Sequence, residues 1–90
     1  MKMKKFIRTE TERLLAKDKF TNMADTGFSV TGYQLDENFT TVIATVNKVT
    51  YLGHAKRNPN CDTYDKRRGV TIAIARAIGA AAKARAVVGV

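Results

Sequence analysis

The chain predicts an α+β domain: a three-stranded antiparallel sheet packed by a C-terminal helix and a short N-terminal helix. Three observations carry that expectation. Apolar and polar residues alternate with period two from Phe28 to Arg57. Asp36-Glu37-Asn38 and Asn47-Lys48 are turn signals that cut this stretch into three strands. Beyond it the period lengthens. Val70, Ala73, Ile74, Ala77, Ile78, Ala81 and Ala84 fall in one arc roughly 140° wide on a helical plot.

Taken in order, residues 1–8 are expected as a flexible basic leader. A short helix over 9–19 follows. Thr9 and Glu12 have the spacing of a capping box. Glu10 and Glu12 suit the positive end of that helix, Lys17 and Lys19 its negative end. A strand through Phe6–Thr11 is the competing assignment, because threonine is frequent there. Asp25-Thr26-Gly27 closes a polar stretch as a turn. In the first strand, Phe28–Leu35, Gly32 marks a bulge or a close backbone approach. The second, Phe39–Lys48, is rich in β-branched residues, and Asn47-Lys48 can turn a tight hairpin into the third, Val49–Arg57. Pro59 lacks an amide donor and stops that strand. Asp62, Thr63 and Asp65 are alternative caps for the last helix, and Gly69 is an alternative start. Gly79 within the helix costs ~1 kcal/mol against alanine, which points to another backbone passing close by. Gly89 would end it. No repeat or linker divides residues 1–90, which read as a single domain.

Sixteen Lys and Arg against eight Asp and Glu give a formal charge of +8. Such an excess biases partners toward polyanions, of which nucleic acid is the commonest. A chain of 90 residues buries only ~60–65% of its unfolded surface, so its core is modest and a homodimer is an open option. The lone Cys61 cannot close an intramolecular disulfide, which fits a reducing compartment. No signal-peptide pattern or membrane-length apolar run is present, so a cytoplasmic setting without membrane contact is expected.

Phosphate contacts need long cationic side chains aimed together. Lys56, Arg57, Lys66, Arg67, Arg68, Arg76 and Lys83 are the candidates, gathered at one end of the sheet and on the back of the last helix. Arg68, Arg76 and Lys83 share that back with Ile72 and Gly79. Tyr64, in the basic loop, is the candidate for stacking on a base, whereas Tyr51 shares its strand face with Val49, Gly53 and Ala55 and reads as core. His54, Cys61 and Asp62 lack the flanking pattern of a nucleophilic dyad and cannot complete a tetrahedral zinc site. No catalytic residue, metal site or cofactor is assigned, and the chain is read as a non-enzyme.

The order of elements, with cations opening an alanine-rich last helix, resembles the double-stranded-RNA-binding domain. Lys66, Arg67 and Arg68 stand where that family's phosphate-gripping lysines stand. Over roughly residues 53–86 the chain is also similar to small bacterial domains with a β-β-β-α core, themselves related in shape to ribosome hibernation factors. The shared run is Gly53, Ala55-Lys56-Arg57-Asn58-Pro59, Asp62, Gly69 and Ala75-Arg76-Ala77. The resemblance implies a dsRBD-like fold that contacts RNA or DNA backbone through the basic loop and last helix. It departs at Asp36-Glu37-Asn38, where the family's loop carries Gly-Pro and His. Two other classes compete: a small inhibitor, such as a mobile element or phage encodes, that binds a nucleic-acid-using protein, and a binder that sequesters a nucleotide.

Overall fold

The structure, a computed structural model, describes residues 3–23, 26–36, 38–56 and 66–88. Helix α1 (Met3–Leu15) leads through a 3-10 segment (Asp18–Met23) to strands β1 (Ser29–Leu35), β2 (Phe39–Val46) and β3 (Val49–Lys56), and helix α2 (Lys66–Val88) closes the chain. The predicted α-β-β-β-α order is the observed one. The strands form an antiparallel sheet in the order β1-β2-β3.

Strand β2 shows why the sheet has two unlike faces. Thr40, Val42, Ala44 and Val46 are buried, and the residues between them are not. On β3 the inward positions are small: Gly53 and Ala55 are buried, while Leu52, His54 and Lys56 point out. The β1–β2 register slips between Val30 and Gly32. This is the bulge that a glycine inside a strand predicts. It moves the inward phase from Val30, opposite Ala44, to Tyr33 and Leu35, opposite Val42 and Thr40. Asn47 and Lys48 turn the β2–β3 hairpin with φ of 51° and 69°, the left-handed pair that a two-residue turn between twisted strands requires.

Helix α1 corrects the sequence reading. It begins at Met3, so Thr9 lies inside it and caps nothing, and the strand alternative fails. Residues 3–8, expected in the leader, form its opening turns. The buried stripe is Ile7, Thr11 and Leu14. Its middle member is polar, which hid the period. The Thr11 hydroxyl donates to the Ile7 carbonyl (2.7 Å) and so enters the core satisfied. The first turn holds no acidic residue. Lys4 and Lys5 stand near the positive end of the helix dipole, an arrangement that costs a few tenths of a kcal/mol.

Helix α2 lies beneath β3 and β2 and packs beside α1. Val70, Ala73, Ile74, Ala77, Ile78 and Ala81 are all 1% exposed or less, so the predicted apolar arc is the face that meets the sheet, except at Ala84, which is only partly buried. The tight approach is at Gly53 and not at Gly79. A Cβ on Gly53 would overlap the Ala73 carbonyl oxygen and stand 2.7 Å from the Ala77 amide nitrogen, whereas one on Gly79 meets nothing within 4 Å. Gly69 lies within the helix, three residues after its start at Lys66. The caps proposed at Asp62, Thr63 and Asp65, the stop at Pro59, Cys61, Asp25 and Gly89 lie outside the described residues.

Candidate nucleic-acid interface

The 23 residues of α2 include no carboxylate. With its apolar arc spent on the sheet, the cations among its described side chains divide between two other sides. Arg68, Arg76 and Lys83 are exposed and fall within roughly 80° of one another on the solvent side. At 1.5 Å rise per residue they mark points about 10–12 Å apart along the axis. Arg67 turns toward α1, its guanidinium 5.6 Å from the centre of the Phe6 ring, a cation–π distance.

Arg76 is held in place. Its Nη1 donates to the backbone carbonyl of His54 (2.7 Å), on the edge strand β3. A guanidinium has five N–H donors, so this contact orients the group without exhausting it. Lys56 is exposed on the opposite, outer face of the sheet, where Phe39 is its cross-strand partner. Of the predicted set, then, Arg68, Arg76 and Lys83 share one side, Arg67 turns toward α1, and Lys56 lies across the sheet. The backbone of Lys66 opens α2. Arg57 and Tyr64 lie outside the described residues.

Two features escaped the sequence reading. Phe39 and His54 stack on the outer face, ring centres 5.2 Å apart and planes 24° from parallel. Thr41 Oγ1 and His54 Nδ1 share a hydrogen bond of 3.2 Å. The signal was present: if Gly53 and Ala55 point inward, His54 and Lys56 must point out. The second feature is a groove of about 650 Å³ between α1 and β1, with Lys4, Arg8, Glu12 and Tyr33 in its lining.

Glu10 ties the helices together. It accepts from Arg13 Nε (2.9 Å) and Nη2 (2.8 Å) and from Thr71 Oγ1 on α2 (2.7 Å). The Arg13 hydrogen bonds draw its carboxyl down to about 2, against the opposing effect of burial and with the help of Thr71. Glu10 thus serves the fold, and its charge is committed to Arg13.

Among the described residues no cluster of three or more His, Cys, Asp and Glu could hold a metal ion, and no helix is long and apolar enough to cross a membrane. Comparison with protein-family models, curated proteins and solved structures finds no match to this chain. The α-β-β-β-α order stands on the structure alone.

Proposed function

We propose that the chain is a nucleic-acid-binding module that grips the phosphate backbone of RNA or DNA along the back of α2. The observation that carries this reading is the side shared by Arg68, Arg76 and Lys83 on a helix without a carboxylate. Phosphate recognition needs fixed, spaced cations and little else, and Arg76 is already fixed by the His54 carbonyl. The net charge of +8 would steer the encounter. Element order and the cations opening α2 support a dsRBD-like mode, with the β1–β2 turn contributing little because Asp36 repels phosphate.

The test is affinity for labelled duplex and single-stranded oligonucleotides across a salt series. Three phosphate contacts give a slope of log K against log salt of roughly −3 on duplex DNA, and Lys83→Ala lowers its magnitude by ~0.9. No binding at low salt, or a slope that Lys83→Ala and Arg68→Ala leave unchanged, overturns the reading.

The groove between α1 and β1 favours a second reading, a nucleotide-sequestering role. Its volume of about 650 Å³ lies in the range of small-ligand sites. Lys4 and Arg8 would meet a phosphate there, and Tyr33 offers a ring to a base. A nucleotide that raises the melting temperature of the protein, with no oligonucleotide binding, would favour it.

A further inference from the structure

We propose that the outer face of the sheet is a stacking platform for the bases of single-stranded nucleic acid. The proposal rests on the nucleic-acid reading above and names the form of the ligand and a second contact surface.

Both helices share one core with the inner face, so among the described elements none covers the outer face. Its composition is unlike an ordinary solvated face. Phe39 is 39% exposed and Leu52 49%, and Phe39 lies against the His54 ring. Stacked on one another, the two rings each leave one outer face, and a base can stack on such a face whatever its identity. Across the sheet from Leu52 and Ile43 stands Gly32, which has no side chain to rise above the floor. A Cβ there would already touch Ile43 Cδ1 at 3.5 Å. Ile43 and Leu52 thus carry the apolar surface on from the rings toward the glycine. The hydroxyls of Thr41, Thr45 and Thr50 lie on the same face and can donate to base edges or to phosphate.

Charge selects the occupant. No outward position of the three strands is a carboxylate, and Lys56 stands directly across from Phe39. The carboxylate of Asp36 belongs to the turn and lies outside the strands. A second copy of a chain carrying +8 would be repelled, and an anionic strand with exposed aromatic bases would be drawn in. Arg76, bonded to the carbonyl of His54 at the β3 edge, puts a cation of the α2 track beside the platform. A flexible single strand can turn over that edge and use both surfaces. A stiff duplex lies along one of them.

The experiment uses the whole chain with labelled oligothymidylate and an abasic deoxyribose-phosphate oligomer of equal length, followed by anisotropy. Stacking worth ~1–3 kcal/mol per base predicts that oligothymidylate binds at least about fivefold tighter than the abasic strand. Phe39→Ala removes that preference and leaves the abasic affinity and the Lys83-dependent salt slope unchanged, while Phe39→Tyr retains it. The chain has no tryptophan, so Phe39→Trp adds one reporter whose emission stacking quenches. Equal affinity for the two strands, an oligothymidylate affinity indifferent to Phe39→Ala, unquenched Phe39→Trp emission on binding, or protection of the face by an acidic protein instead overturns the platform. If the salt slope still responds to Lys83→Ala in those cases, phosphate gripping by α2 survives without it. If no strand binds at low salt, both fall.

Discussion

At the scale of single residues, Glu10 does the most with the least. Its side chain is 14% exposed, and it accepts a two-point contact from an Arg13 side chain that is 49% exposed. The Thr71 hydroxyl adds a bond across the helix interface. Its carboxyl sits at about 2, below the ordinary 4.5. The unfolded chain therefore takes up this proton first on acidification. The stabilisation is complete above about pH 4.5 and is lost as the pH falls toward 2. Denaturant midpoints measured through that window should decline in the natural chain and decline less in Glu10→Gln. At neutral pH that variant should be about 1–2 kcal/mol less stable.

At the scale of elements, the contact of α2 with β3 decides the architecture. Helix and strand backbones touch at Gly53, where Ala73 and Ala77 face it. Gly53→Ala should push the helix off the sheet and cost about 3 kcal/mol or more, read as a lowered melting temperature; Gly79→Ala should be neutral to stabilising. Much of this architecture was legible beforehand. The apolar arc of α2 reads directly because alanine and isoleucine recur at helical spacing and nothing polar interrupts them. The hairpin reads from Asn47-Lys48, and the bulge from Gly32. The start of α1 did not read, because Thr11 breaks the stripe and because the cations at Lys4 and Lys5 run against the dipole. The close approach was expected at Gly79, since a glycine inside a helix draws notice. A glycine in a strand of small residues reveals its use only when the helix is seen above it.

At the scale of the whole molecule, the charge is distributed more than it is gathered. Which cations share the back of α2 followed from the period of the helix alone. Lys56 was assigned with them because it is near in sequence, but strand alternation puts it through the sheet. The partner of Arg76 is a backbone carbonyl twenty-two residues earlier in the chain, a tertiary fact that no local pattern encodes. The outcome is a molecule with Arg68, Arg76 and Lys83 on one side and rings, hydroxyls and Lys56 on another, joined where Arg76 meets β3.

That junction has a bearing on how copies of the chain tolerate crowding. A three-stranded sheet offers two open borders, and each is a template on which a neighbour's strand can continue the hydrogen-bond ladder. The β1 border is kinked by its bulge, and the β3 border has the His54 carbonyl occupied by Arg76. Removing the guanidinium would reopen a straight border flanked by Leu52 and Val49, which are half exposed. Arg76→Ala, held concentrated and warm, should gain light scattering and thioflavin signal well before the natural chain does; equal persistence of both in solution would mean that the arginine guards nothing.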